Sequence, residues 1–185
     1  MKNSFVLNVM IEIPKFSKIK YEYNRSDHKI YVDRILYGAG SYPHNYGLIE
    51  KTIDWDGDEL DALVIADQAF QVGSIVPVRV LGAMSMVDQD ETDTKLITVI
   101  DVDPRYSNYQ SLKDLPEHLL AEIKDFFMTY KNLEKKKVDV GSFHDLDYAI
   151  QELQECQHLY EQYHHLDKSE FLKLMQKKHP EKYCK

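Results

Sequence analysis

The run Ile53–Val64, IDWDGDELDALV, sets Asp54, Asp56, Asp58, Glu59 and Asp61 within eight positions and then turns apolar. Like charges at that spacing repel: two carboxylates about 5 Å apart at an effective dielectric near 20 cost on the order of 3 kcal/mol. A second run, DQDETDTK from Asp88 to Lys95, holds four acids and one lysine. Together the two runs account for the whole net charge of −8, so the rest of the chain is neutral. Acidity confined to two places on a balanced chain points to bound cations rather than to solubility alone. An ordinary solvated turn explains one or two of these acids, because Asp and Gly are turn residues, but not five.

An EF-hand is excluded. Counted from Asp54, position 6 is Glu59 instead of Gly and position 12 is Ile65 instead of Glu. A multi-metal oxygen site fits better. Asp56 and Asp58 are two apart and share a face in extended chain, Gly57 between them can bend it, and Asp61 opens the apolar segment that would hold it rigidly. Asp88 and Asp93 follow another strand-like segment and can return to the same pocket. Carboxylates without Cys or clustered His select hard ions, Mg²⁺ or Mn²⁺. Magnesium shares its ligands readily with phosphate, which points to phosphoryl chemistry. The phosphate side then needs cations and hydrogen-bond donors. KIKYEY offers Lys18, Lys20 and Glu22, YVDRIL offers Arg34, SYPHNYG offers Tyr42 and Tyr46 in a turn, and YKNLEKKK offers Tyr130 and Lys131.

Other chemistries lack their residues. There is no Gly-rich phosphate loop and no HExxH; His158, His164 and His165 read as surface residues of a helix. No Ser or Cys stands in a nucleophile setting, which favours direct attack by water. No basic patch with interleaved aromatics offers itself to nucleic acid. No window is apolar enough to span a membrane, and MKNSFVLNVMIEIP lacks the features of a secretory leader. Cys156 and Cys184 read as two reduced thiols of a cytoplasmic protein.

The elements that must position these residues change character along the chain. FVLNVMIEI, KIKYEYN, KIYVDRIL, LDALVIA, SIVPVRVLGAM and KLITVIDV read as strands of a small closed barrel over about residues 5–103, with Pro77 marking a strand start, edge or bulge. From Leu115 to about residue 179 the period is helical. Leu119, Ile123, Phe126, Phe127 and Tyr130 share one face. A second helix is expected within Gly141–Tyr163, with Ser142 and Asp145 as a capping box and Leu146, Ile150, Leu153, Cys156, Tyr160 and Tyr163 as its stripe. A third is capped by Asp167 with Glu170 three residues on. One domain, 1–185, of mainly β with α (α+β) class is expected.

These residues carry a resemblance. DGDELDA is similar to the signature of the soluble (family I) inorganic pyrophosphatases, and IEIP, KYE, VDR, YPHNYG, the spaced GS-I-P-R--G---M-D, D-K and YKNLEK follow in that family's order across roughly residues 10–137. The resemblance implies a five-stranded OB-type closed barrel with flanking helices and a C-terminal helical extension. It also implies hydrolysis of pyrophosphate to two phosphates with several Mg²⁺ ions. Asp58 would be the general base toward a metal-activated water. Asp56, Asp61, Asp88 and Asp93 would be metal ligands, with Glu12 and Glu22 acting through water. Lys20, Arg34, Tyr46, Lys95, Tyr130 and Lys131 would hold the phosphates. A homo-oligomer is implied, a hexamer first and a dimer or trimer as alternatives. The chain departs from the family pattern at Asn24, Glu59 and Glu91, and at Asp125 and Thr129 on the first helix. A hydrolase of nucleoside triphosphates or other phosphate esters and a non-catalytic cation-binding barrel are the competing readings.

Overall fold

The computed structural model describes residues 5–183. Its strands form where β-branched and apolar residues concentrate: β1 (Val6–Ile13), β2 (Ile19–Asn24), β3 (Lys29–Ile35), β4 (Asn45–Ile49), β5 (Leu60–Ile65), β6 (Ile75–Asp88), β7 (Glu91–Thr92), β8 (Lys95–Ile100) and β9 (Val138–His144). Five of them close on themselves. β1 pairs with β4, β4 with β5, β5 with β8, β8 with β6, and β6 returns to β1. Closure leaves no free edge within the ring. Every ring pair is antiparallel except β5–β8, which is parallel. β8 is buried throughout and β5 at every residue but Asp61, as strands covered on both faces must be. The ring is the expected barrel.

β6 outgrows the ring, and its far end pairs with β7 and β9. β2 and β3 form a separate two-stranded hairpin. Pro77 sits near the start of β6 opposite Asn8, where its missing N–H is tolerated and its carbonyl accepts from the Asp101 amide. Helix α1 (Glu117–Thr129) buries Ile123, Phe126 and Phe127 against the ring core. α2 (Leu146–Tyr163) and α3 (Lys168–Lys178) follow. A smaller core joins Ile53, Trp55, Leu159, Phe171 and Met175, and it ties α2 and α3 to the acidic loop.

Three expectations are corrected. SYPHNYG is only partly a turn, because Asn45–Ile49 is a fully buried strand and Tyr42 and Tyr46 are core residues. Ser142 is not a cap. Val138–His144 is strand β9, whose Ser142 amide donates to Ser85 Oγ, and Asp145 alone caps α2 by accepting from the Tyr148 amide. The unpaired edge of the over-long β6 recruits a segment whose local pattern also suits a helix start. The buried line of α2 runs through Ala149, Leu153, Cys156 and Leu159, so it is rotated from the expected stripe. The α3 capping box between Asp167 and Glu170 forms as expected. Cys156 is a free, buried thiol, and Cys184 lies outside the described residues.

Candidate active site

β5 begins at Leu60, directly after the acidic loop, so Asp61 is held by a strand paired on both sides. The loop itself is tightly bonded. The Asp54 amide donates to the Asp58 carbonyl at 2.7 Å, the Gly57 amide to the Asp54 carbonyl at 2.9 Å, and the Asp58 amide to Asp56 Oδ1 at 3.0 Å. Gly57 supplies the left-handed turn, with φ +87°. Asp54 is only 1% exposed and lies beneath the loop, where its Oδ1 accepts from the Trp55 amide. Burial and the nearby Asp93 push its carboxyl up to about 8. It anchors the turn rather than facing the cleft.

One cleft of about 270 Å³ gathers the rest. Its lining includes Glu12 from β1, Lys20 and Glu22 from β2, Arg34 from β3, Tyr46 from β4 and Asp61 from β5. Asp56 and Asp58 enter from the loop, Asp88 from the end of β6, Asp93 from the link between β7 and β8, Lys95 from the start of β8, and Tyr130 and Lys131 from just after α1. Every residue singled out from sequence as a base, metal ligand or phosphate ligand, apart from Lys18, therefore lies on this one surface. The two acidic runs do converge.

The repulsion between them is answered first by the chain's own cations. Lys95, almost fully buried, reaches Asp61 Oδ2 at 2.5 Å and also pairs with Asp93. Burial alone would lower its pKa, but Asp61 and Asp93 raise it well above the usual lysine value. The Tyr46 hydroxyl donates to the same Asp61 oxygen. Lys131 pairs with Asp88, yet burial leaves its ammonium below the usual value. Lys168 Nζ lies 2.6 Å from Asp58 Oδ2. On the opposite wall Lys20 pairs with Glu22, while Arg34 is held by Asp33 at 2.5 Å and Glu134 at 2.9 Å. Glu12 accepts from the Tyr23 amide at 2.6 Å, and burial with Asp61 nearby pushes its carboxyl up to about 8. Burial and the neighbouring Asp58, Asp93 and Asp54 raise Asp56 well above the usual range.

These cations do not suffice. Ten acidic side chains line the cleft against six cationic ones, a formal excess of four acids before any substrate anion enters. One Asp88 oxygen is buried without a partner. The donor set is entirely oxygen, which suits hard divalent ions. Among the described residues no three acidic, imidazole or thiol side chains form a ready-made cage for a single ion.

Several participants had no sequence signal. Arg25 stands in the turn between β2 and β3, yet its Nη2 donates to the Gly57 carbonyl at 2.8 Å and its Nε faces buried Glu59 at 3.4 Å. That pair gives the departure at Glu59 a structural use. Glu134 within YKNLEKKK bonds Arg34, and Lys168 at the start of α3 bonds Asp58. Glu91 lines the cleft, while its loop takes left-handed backbone at Gln89 and Asp90. Asn24 closes the β2–β3 turn by accepting from the Ser26 amide.

The fold and cleft thus define a class: an OB-like closed barrel with a carboxylate-rich, cation-fringed site at the strand ends and adjoining loops. A model of the family described as inorganic pyrophosphatase matches residues 9–161. The inorganic pyrophosphatase of Ureaplasma parvum is 59% identical over 179 residues, covering 97% of this chain and 99% of the relative. That of Malacoplasma penetrans is 58% identical over 177 residues, covering 96% and 98%. The solved structure of the Helicobacter pylori inorganic pyrophosphatase superposes with a TM-score of 0.82 at 43% identity, covering 87% of this chain and 96% of that one. The chain belongs to the inorganic pyrophosphatase family.

Proposed function

We propose that this chain hydrolyses inorganic pyrophosphate to two phosphates by direct attack of water, with Asp58 accepting the proton. The observation that carries the reading is the single cleft in which both acidic runs face Lys20, Arg34, Lys95 and Lys131. Membership of the family, with relatives named inorganic pyrophosphatase across nearly their whole length, supports it. Among the described residues no Ser, Thr, Cys or His lines the cleft, in keeping with water as the nucleophile.

The cofactor is Mg²⁺, several ions per site, with Mn²⁺ as the alternative. Asp56, Asp61, Asp88 and Asp93 would hold the ions directly, and Glu12 and Glu22 through water. Bound there, the ions would neutralise the excess carboxylate charge and lower the pKa of a coordinated water toward roughly 7. Asp58 is exposed at the rim, free to accept a proton and pass it to solvent. Lys20, Arg34, Tyr46, Lys95, Tyr130 and Lys131 orient the two phosphates and stabilise charge on the one that leaves, which is most of what phosphoryl transfer requires. Arg34 enters the reaction prealigned by Asp33 and Glu134.

A nucleoside triphosphate fits less well. The cleft of about 270 Å³ falls below the roughly 300–1,000 Å³ typical of drug-sized ligands. Its lining has few apolar groups on which a base could rest. Phosphate release from pyrophosphate, measured with and without Mg²⁺ and beside ATP, is the test. Rapid Mg²⁺-dependent release from pyrophosphate alone supports the reading, and release mainly from ATP overturns it. We place the protein in the cytoplasm, acting on pyrophosphate without nucleic acid or membrane as partner. No helix among the described residues is long and apolar enough to cross a membrane. We propose assembly into a homo-oligomer, a hexamer first; exposed Phe16, Val32, Ile35 and Tyr37 support contact between copies, and sedimentation gives the copy number.

A further inference from the structure

The family match ends at residue 161, and the chain continues into α3 and a final short turn. That continuation touches both acidic loops. Lys168, the first residue of α3, bonds Asp58 from 110 positions away, and it lines the cleft. Gly57 lies so close to α3 that an added Cβ would sit 3.0 Å from Lys168 Cγ and 3.5 Å from Phe171 Cδ1. Phe171 and Met175 are buried with Trp55 in the smaller core. The Tyr183 hydroxyl donates to the Trp55 carbonyl at 2.6 Å, and the Tyr183 backbone forms a bridge with Glu91. The Thr92 hydroxyl donates to the Lys182 carbonyl at 2.9 Å. One segment, 168–183, therefore grips the loop that carries Asp56 and Asp58 and the loop that joins Asp88 to Asp93.

We propose that Lys168 is a positioning residue of the active site, holding the Asp58 carboxylate while the segment that carries it keeps the two acidic loops in register. The proposal rests on the reading of Asp58 as proton acceptor in pyrophosphate hydrolysis. Both partners are about half exposed, so their ion pair contributes little to stability. Its effect lies in geometry. Among the described residues Lys168 is the one side chain that donates to this carboxylate, and misplacement of a reacting group by about 1 Å can cost on the order of 10²-fold in rate.

The test uses the full chain with Lys168→Met and Lys168→Arg. Steady-state phosphate release gives kcat and KM, and emission from Trp55, the sole tryptophan, reports whether α3 stays docked. The expected result for Lys168→Met is a kcat lower by about tenfold or more, with KM within about twofold, and with emission and melting temperature as in the parent. Lys168→Arg restores most of the lost kcat. A kcat in Lys168→Met equal to the parent's overturns the proposal. So does a loss of kcat accompanied by shifted Trp55 emission, or one that arginine fails to restore, since either result marks a merely structural contact. A parent chain that releases no phosphate from pyrophosphate overturns the function itself, and this is seen before any variant is compared.

Discussion

Asp58 differs from its neighbours in having solvent on one side and a single lysine on the other. Asp58→Asn keeps the shape and the turn but removes the proton acceptor. Phosphate release should fall on the order of 10²–10⁴-fold, with the melting temperature unchanged because the side chain is half exposed. Turnover near that of the parent would mean the proton goes elsewhere. His44, away from the acids, sets a pH limit on stability. Burial, with Lys15 adding to it, pulls its imidazole from 6.5 down to about 4. Between those values the unfolded chain binds a proton that the folded chain does not. Stability is therefore complete above the unfolded value and declines as pH falls through that window, by up to about 1.4 kcal/mol per unit. Its Nδ1 is buried without a partner, so an apolar replacement is tolerable. His44→Leu should flatten the acid limb of stability against pH, read from urea midpoints. Glu12 and Glu59, pushed up to about 8 and about 7 mainly by burial, work in the opposite sense and favour the fold at acid pH. The difference between parent and variant therefore isolates His44.

At the scale of elements, the site depends on how closely β4 lies on β1, because Tyr46 on one and Glu12 on the other face the same cleft. Gly47 makes that approach possible. A Cβ there would collide with the Met10 carbonyl and lie 2.9 Å from Ile11 Cα, all of it backbone that cannot swing aside. Gly47→Ala should cost about 1–3 kcal/mol, as overpacking in a core does. It should also lower turnover beyond the loss of folded protein, because Tyr46 moves with the strand. Chemical denaturation and the specific activity of the folded fraction separate the two effects. A variant with parental stability would mean β1 and β4 can part without cost. The hairpin of β2 and β3 and the end of α1 bring Lys20, Arg34, Tyr130 and Lys131 to the far wall, so the phosphate-facing groups come from elements distant in sequence.

For the whole molecule the governing quantity is charge. The two acidic runs that account for the net charge of −8 converge on one cleft, where six cationic side chains leave four of ten acids formally unbalanced. Divalent ions that bind the folded chain and not the unfolded one must therefore stabilise it. Mg²⁺ at about 100 times its Kd adds about 2.7 kcal/mol, which for a chain of this size raises the melting temperature by roughly 5–10 °C. Calorimetry with Mg²⁺, with a chelator and with NaCl at matched ionic strength checks this. An equal rise in NaCl would reduce the effect to screening. The same crowding accounts for the direction of several ionisations: Asp56 is raised by burial and by Asp58 and Asp93, and Asp93 by burial and by Asp61 and Asp88.

The residue types alone pointed to a chemistry, and the two acidic runs that carried it do meet in one cleft. Five acids in eight positions followed by an apolar run, and a second acidic run after another strand, announce cation binding because no ordinary turn tolerates that repulsion. The sequence by itself determined most strands and all three helices, because periodicity is a local property. What it could not hold was any assignment settled by a distant partner. Val138–His144 is a strand because β6 has an edge to fill, and Asn45–Ile49 is one because β1 and β5 enclose it. Tyr42 and Tyr46 are core residues because α1 lays Phe126 and Phe127 over them. Arg25, Glu134 and Lys168 carry no local signal, since each acts on a group brought near only by folding: Gly57 and Glu59, Arg34, and Asp58. Residue types are local and declare a chemistry; the partners that aim them are separated by up to 110 positions, and only the closed ring and the helices laid over it bring them into contact.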